Sequence, residues 1–108
     1  MEAPYQGENT RFEATRDFAG SSLTSIYERA KSAYLEENFR ITQDDLRERI
    51  LTGKRKTPGG FITSTTRFYS TESGVRIRIV TLTPRANVNG SRVNQAIFNL
   101  IEYGPITP

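Results

Sequence analysis

The sequence Gly60-Phe-Ile-Thr-Ser-Thr-Thr-Arg-Phe-Tyr-Ser70 passes through the polar segment Thr71-Glu-Ser-Gly74 into Val75-Arg-Ile-Arg-Ile-Val-Thr-Leu-Thr83. Both long runs are rich in β-branched and aromatic residues, which favour strands. A polar segment that ends in glycine between two such runs is typical of a turn. The stretch from Gly60 to Thr83 therefore predicts a β-hairpin.

The second run of this hairpin alternates between apolar and charged residues. Val75, Ile77 and Ile79 fall on one side of a strand, whereas Arg76 and Arg78 fall on the other. Alternation with a period of two residues indicates a strand with one buried face and one exposed face. We expect the apolar side to form the floor of the core. The arginine side is the first candidate for function.

A strand and a helix are predicted before the hairpin. Residues 10–18 alternate as a strand does, with Arg16 as the one charged residue on the apolar side. Ser21 or Ser22 can cap the helix that follows by accepting from its free amides. That helix is predicted over residues 23–37, because apolar residues recur there at helical spacing. Its stripe consists of Leu23, Ile26, Tyr27, Ala30, Ala33 and Tyr34.

Two further strands are predicted between this helix and the hairpin. Residues 39–42 read as a short strand and residues 43–45 as a turn, because aspartate side chains bond back to nearby amides. A helix or a strand fits the segment after the turn, and we favour a strand over residues 47–56. Gly53 within it indicates a bulge or a close approach of another chain segment. Residues 57–60 form a turn.

A second helix follows the hairpin. Ser91 can cap it, and Gly104-Pro105 ends it. Its predicted apolar stripe consists of Val93, Ala96, Ile97, Leu100 and Ile101.

Together these elements predict an α+β fold of the two-layer sandwich type. The order is β-α-β-β-β-β-α, with an antiparallel five-stranded sheet and two helices on one face. We expect a flexible N-terminal segment over residues 1–9, a single domain over residues 10–104 and a tail over residues 105–108. A chain of 108 residues is long enough for one core and too short for two.

The amino-acid composition excludes several classes of catalytic and metal-binding site. The chain has no cysteine and no histidine, so thiol catalysis, disulfides, imidazole metal sites and a Ser-His-Asp triad are excluded. We expect a protein that is not an enzyme and that needs no cofactor and no metal. The net charge is +3, and arginine accounts for 12 of the 15 basic residues. Arginine binds carboxylates and phosphates through two parallel hydrogen bonds.

The candidate partner-binding residues lie on the outward side of the hairpin and in the basic run before it. They are Arg67, Tyr69, Arg76, Arg78, Lys54, Arg55 and Lys56. Arginines beside exposed aromatic rings can hold phosphates and stack bases. The basic run can bind phosphate, anionic lipid or an acidic partner, or it is an ordinary exposed hairpin end.

Apolar residues continue the arginine side of the hairpin at Val80 and Leu82. We expect the chain termini or a partner to cover this far end.

Other polar residues have simpler explanations. Asp44 and Asp45 resemble carboxylate pairs that bind Ca²⁺ or transfer protons, but a turn accounts for them and no EF-hand spacing is present. The serines and threonines of the hairpin would need a base in order to act as nucleophiles, and we expect the lysines to be exposed and therefore unsuited to that role.

The pattern of elements resembles that of a known class. A helix is followed by Asn38-Phe39-Arg40-Ile41, by Asp44-Asp45 and by Arg49-Ile50-Leu51-Thr52-Gly53. This arrangement is similar to the opening of small bacterial envelope modules with a TATA-binding-protein-like or helix-grip fold, such as the domains of BamC lipoproteins. The resemblance covers residues 23–103. It implies an accessory binding role in the cell envelope, without catalysis or a cofactor, and it implies no particular site residue.

The expected cellular compartment depends on whether an export signal once preceded Met1. Met1-Glu2-Ala3-Pro4 is polar, and no run is long enough to span a membrane. The protein is expected to be periplasmic or associated with the outer membrane if an export signal was removed and Met1 added. Otherwise it is expected to be cytoplasmic.

We therefore expect a binding or scaffolding module that contacts another protein through its sheet face or through a free strand edge. One alternative is a small basic protein that binds nucleic acid through the arginine face. The strand and helix order of an RRM is not predicted, because no helix separates the last two strands. A further alternative is a small proteinaceous inhibitor or accessory factor.

Overall fold

A computed structural model describes residues 10–84 and 88–104 of the chain. Its elements are β1 (Thr10–Ala19), α1 (Leu23–Glu36), β2 (Arg40–Asp45), β3 (Ile50–Thr57), β4 (Gly60–Ser70), β5 (Gly74–Thr83) and α2 (Gly90–Tyr103). The predicted N-terminal segment and C-terminal tail lie outside the described residues.

The five strands form a single antiparallel sheet in the order β1-β5-β4-β3-β2. Strands β2 to β5 follow one another as a meander, and β1 adds to the free side of β5. Helix α1 therefore carries the chain from one edge of the sheet to the other. The predicted α+β sandwich and its order of elements are confirmed.

The core lies between the sheet and the two helices. Val75, Ile77 and Ile79 of β5 are buried, so the predicted floor of the core is confirmed. The buried apolar residues of the helices are Ile26, Tyr27, Ala30, Ala33 and Tyr34 in α1, and Val93, Ile97, Phe98 and Ile101 in α2. Apolar surface removed from water between these layers is the main favourable contribution to folding.

The inward-facing arginine of β1 is accommodated by α2. The Arg16 guanidinium carbon lies 4.7 Å from the centre of the Phe98 ring. The same group donates to a carboxylate oxygen of Glu102 at 3.0 Å. A cation over an aromatic face and an ion pair together explain why a charged residue is tolerated on this side.

The predicted capping residue is confirmed for α1 and is wrong for α2. Ser22 caps α1 and accepts from the amide of Ser25 at 3.2 Å, as predicted. Ser91 does not cap α2. Asn89 does so, accepting from the amide of Arg92 at 3.2 Å. The helix therefore starts at Gly90, which packs against Phe12, so that an added Cβ would lie 2.2 Å from a ring carbon.

The turn between β2 and β3 lies later than predicted. Residues 43–45 belong to β2, the turn occupies residues 46–49, and β3 begins at Ile50 rather than at residue 47. The Asp45 carboxylate still serves the turn, because it accepts from the amide of Glu48 at 3.0 Å. Arg49 supplies the left-handed residue with a φ of 62°.

Gly53 allows the close approach that the sequence indicates. A Cβ at this position would lie 2.6 Å from a ring carbon of Tyr34. The bulge lies on the neighbouring strand, where the register of β2 shifts between Ile41 and Gln43. Glycine here lets α1 lie close to the sheet.

The helices α1 and α2 are both 14 residues long. Within the ranges that the structure describes, no helix has the length and apolar character needed to cross a membrane.

Candidate interaction surface

Both helices pack on one side of the sheet, and no described helix covers the other side, which we call the open face. Alternate residues of the strands point there. In β2 they include Gln43 and Asp45, which lie opposite Thr52 and Ile50. In the other four strands they are Arg11, Glu13, Thr15 and Asp17 of β1, Arg76, Arg78, Val80 and Leu82 of β5, Phe61, Thr63, Thr65, Arg67 and Tyr69 of β4, and Ile50, Thr52, Lys54 and Lys56 of β3. Six of the seven predicted binding residues therefore share one face, and Arg55 is the exception.

Two of the predicted arginines are engaged by carboxylates of β1. Arg76 lies directly opposite Asp17 and donates to both of its carboxylate oxygens, at 2.7 and 3.2 Å. Arg78 donates to Glu13. These hydrogen bonds lower the pKa of Glu13 and of Asp17 and raise the pKa of both arginines. The arginine face is therefore partly neutralised by the chain itself.

Arg67 has no such carboxylate. It lies opposite Arg78 on β5 and opposite Ile50 on β3. In residues 10–84 and 88–104, no acidic side chain forms an ion pair with it. Like charges directly opposite one another on neighbouring strands are unfavourable. The cross-strand position of Arg67 therefore leaves a local excess of positive charge.

A shallow depression of about 260 Å³ lies beside Arg67, lined by Arg11, Thr65, Arg67, Arg78 and Val80. Glu13 is shared at its rim, because one carboxylate oxygen lies 3.1 Å from Arg11 and the other accepts from Arg78. One carboxylate thus serves two of the three arginines around the depression.

The basic run of β3 is divided between the two sides of the sheet. Lys54 and Lys56 point to the open face, and the Lys54 ammonium lies 5.8 Å from the centre of the Phe61 ring. Arg55 points to the helix layer, where it donates to the carbonyl of Glu37 at 2.6 Å and lies 4.8 Å from the Phe39 ring centre. Arg55 is therefore separated from Lys54 and Lys56, because successive residues of a strand face opposite sides.

Arg55 borders a separate groove of about 460 Å³ at the end of the helix layer. The groove is also lined by Glu37, Ile62, Val88, Asn89, Arg92, Val93 and Ala96. It shares Arg55 with the predicted set and does not open onto the same surface as Arg67.

Aromatic and aliphatic side chains lie among the charges of the open face. Phe61 is 51% exposed and Tyr69 is 41% exposed. Val80 and Leu82 are half-buried by their cross-strand neighbours. The chain termini expected to cover this end of the hairpin lie outside the described residues. A surface that combines accessible aromatic rings with cations has the composition of a contact surface.

The aspartates of β2 have structural partners. Asp44 accepts from the Tyr27 hydroxyl at 2.7 Å and from the Lys31 ammonium at 3.0 Å. The hydrogen bond from Tyr27, followed by that from Lys31, lowers the pKa of Asp44. Across the described ranges, no three acidic side chains are placed together as a metal site.

The core contains a buried polar network that the sequence patterns did not predict. Ser64 and Thr81 lie opposite one another with their hydroxyl oxygens 2.7 Å apart, and Thr81 donates to the side chain of Asn94. Asn94 in turn donates to the carbonyl of Phe12 at 3.3 Å. The available signal was the polar residues at inward positions of β4, β5 and α2.

The described edges of the sheet differ in length. Strand β2 has six residues and a bulge, which protect an edge against pairing with another chain. Strand β1 has ten residues, and no described strand pairs with its outer side. The outer side of β1 is therefore better suited than that of β2 to pairing with a strand of another chain.

No protein-family model matches the chain, and no curated protein matches it. Among solved structures, the crystal structure of Ara h 8.0201 is similar, with a TM-score of 0.46 and 12% sequence identity over 88% of this chain and 96% of that chain. Similarity at this level assigns neither a family nor a ligand to the chain.

Proposed function

We propose that this protein is a non-enzymatic binding module that contacts another protein through the open face of its sheet. The observation that carries the proposal is the composition of that face. The exposed ring of Tyr69 lies two residues from Arg67 on the same side of β4, and the exposed ring of Phe61 lies near the other end of that strand. No described carboxylate forms an ion pair with Arg67. Aromatic residues and arginine are enriched where proteins meet.

A protein partner is favoured over nucleic acid by the neighbours of these rings. The Lys54 ammonium lies over the Phe61 ring and occupies a face on which a base would stack. The ion pairs of Glu13 with Arg78 and of Asp17 with Arg76 also neutralise two arginines of this surface, which leaves fewer free cations for a phosphate backbone. Binding of nucleic acid remains an outcome of the tests below.

The proposal is tested by comparing two double variants in quantitative affinity capture from the native organism. Phe61→Ser with Tyr69→Ser removes the exposed rings of the open face. Leu35→Ser with Tyr103→Ser removes side chains of the helix layer that are 60% and 76% exposed and serves as the matched control. We expect the proteins retained by the wild type to be lost by the first variant and kept by the second. Equal retention by both variants would contradict the proposal, provided that circular dichroism shows both to be folded.

We also propose the cell envelope as the compartment, on the basis of the residue pattern over residues 23–103. Cell fractionation with an antibody against the protein tests this. Recovery in the periplasmic or outer-membrane fraction is expected, and recovery with cytoplasmic markers alone would overturn it without affecting the proposed contact surface.

A further inference from the structure

We propose that the depression beside Arg67 binds one carboxylate group of the partner protein. This inference rests on the proposed function and specifies the chemistry of the contact. Its starting point is the shortage of negative charge around the depression. Arg11, Arg67 and Arg78 line it, and Glu13 is the one described carboxylate that pairs with any of them.

The geometry of the strands holds this charge in place. Arg67 and Arg78 are direct cross-strand partners, so the backbone register fixes their Cα atoms as neighbours. Glu13 already engages Arg78. The guanidinium with unfilled hydrogen-bonding capacity is therefore that of Arg67. A planar guanidinium binds a carboxylate through two parallel hydrogen bonds.

The lining of the depression favours a carboxylate on a carbon stem over a bare ion. Among the lining residues, Thr65 has a hydroxyl that lies 3.3 Å from the hydroxyl of Thr52, and Val80 has an apolar side chain. The volume of about 260 Å³ is several times the ~30 Å³ that a water molecule occupies in the liquid. There is room for a carboxylate and for the carbon atoms that carry it.

The surroundings favour a single negative charge over a string of phosphates. Asp17 and Arg76 lie on the same face as a neutral ion pair, so a chain of phosphates that extends along β1 finds no free cation there. An aspartate or glutamate of a partner protein delivers the one charge that the depression can pair.

The test titrates the full chain with three probes. Binding is monitored by the NMR chemical shifts of the backbone amides and of the arginine side-chain N–H groups. The first probe is a blocked five-residue peptide with a central glutamate between two valines on each side, and the same peptide with glutamine is its control. The second is inorganic phosphate, and the third is a ten-nucleotide single strand of deoxythymidine. Each is titrated at about 50 and about 200 mM salt, a range over which binding to a phosphate backbone weakens strongly.

We expect the glutamate peptide to shift Arg67, Arg78 and Thr65 saturably and the glutamine peptide to shift them far less. Arg67→Gln should weaken binding of the glutamate peptide by about tenfold or more, because a hydrogen bond to a charged group contributes an amount of that order. Arg29→Gln, at an exposed position of α1, is the matched control and should leave binding unchanged.

Three results would overturn the inference. They are no saturable shift at Arg67 with the glutamate peptide, equal weakening by both arginine variants, and tighter binding of phosphate or of the oligonucleotide at the same residues. None of them decides the proposed function, because the Phe61 and Tyr69 variants of the capture experiment keep all three arginines. Loss of capture there with no peptide binding here would retain the contact surface and reject the carboxylate.

Discussion

The two faces of the β4–β5 hairpin differ in whether their polar side chains have hydrogen-bond partners within the chain. On the inner face, Ser64, Thr66 and Thr81 are fully buried, and each hydroxyl has a hydrogen-bond partner within the chain. On the open face, Arg67 is exposed to water and has no described carboxylate partner. A buried polar group without a partner costs free energy, whereas an exposed one is served by water. A polar side chain without a hydrogen-bond partner in the chain is therefore tolerated on the open face and not in the core. On the open face it can bind another molecule.

The same contrast divides the residues that maintain the fold from those that are free to serve function. Ile77 and Arg76 are neighbours in β5, yet the first is wholly buried and the second is paired with Asp17 at the surface. We expect changes on the inner face to act on the free energy of unfolding and changes on the open face to act on binding.

The largest effect is expected at Ile77. Replacing Ile77 with Ala removes buried methyl groups and leaves a cavity, which should lower the free energy of unfolding by about 2–5 kcal/mol. Arg76→Ala, one residue away, should lower it far less, because exposed ion pairs contribute little to stability. Urea denaturation followed by circular dichroism measures both. Similar losses for the two variants would remove the distinction between the faces.

The next effect is expected in the buried polar network. Asn94→Ala removes the acceptor used by Thr81 and the donor used by the Phe12 carbonyl. Leaving such groups without partners should cost about 1–3 kcal/mol of unfolding free energy. Asn99→Ala on the exposed side of α2 is the matched control, since it loses one surface hydrogen bond from Gln95. A cost for Asn94→Ala no greater than that for the control would show that water replaces the network.

A smaller effect concerns the pH dependence of stability. Hydrogen bonds from Tyr27 and Lys31 lower the pKa of Asp44 in the folded chain. A lowered folded pKa stabilises the protein above the unfolded pKa, near the ordinary value of 3.8, and this contribution is lost as the pH falls through the folded pKa. Asp44→Asn should therefore reduce the loss of stability below that pH, whereas Glu48→Gln at an exposed turn should not. Denaturation midpoints measured across the acid range test this, and identical pH profiles for the wild type and Asp44→Asn would contradict it.

The smallest effect is expected at Arg67. Arg67→Gln removes one of two like charges that face each other across β4 and β5. The free energy of unfolding should change by no more than about 0.5 kcal/mol, or rise slightly, because exposed substitutions away from structural contacts are nearly neutral. Thermal denaturation at low and high salt measures this change. A loss of several kcal/mol would make Arg67 a structural residue and would remove the basis for assigning it to binding.

Local patterns predicted the fold well, because alternation and helical spacing determine which side of each element is buried. The hairpin, the stripe of α1 and the inward position of Arg16 all follow from spacing of this kind. The position of Arg55 on the side opposite to Lys54 and Lys56 follows from the same spacing, since those two residues flank it in one strand.

The state of the arginines could not be predicted in the same way. Whether Arg76 and Arg78 are free depends on the pairing of β1 with β5, which brings Asp17 and Glu13 beside them from about 60 residues away in sequence. No local pattern encodes that strand order. The cap of α2 was misplaced because Asn89 and Ser91 are both residues that cap helices well, so local sequence does not distinguish between them.

The most direct test of the open face as the contact surface is site-specific photocrosslinking in the native organism. A benzophenone amino acid is placed at position 61 on the open face or at position 35 on the helix layer, where the natural side chains are 51% and 60% exposed and thus comparably accessible. We predict a discrete crosslinked protein from position 61 and none from position 35. Crosslinking of the same protein from position 35 alone, or of nucleic acid in place of protein from position 61, would contradict the account.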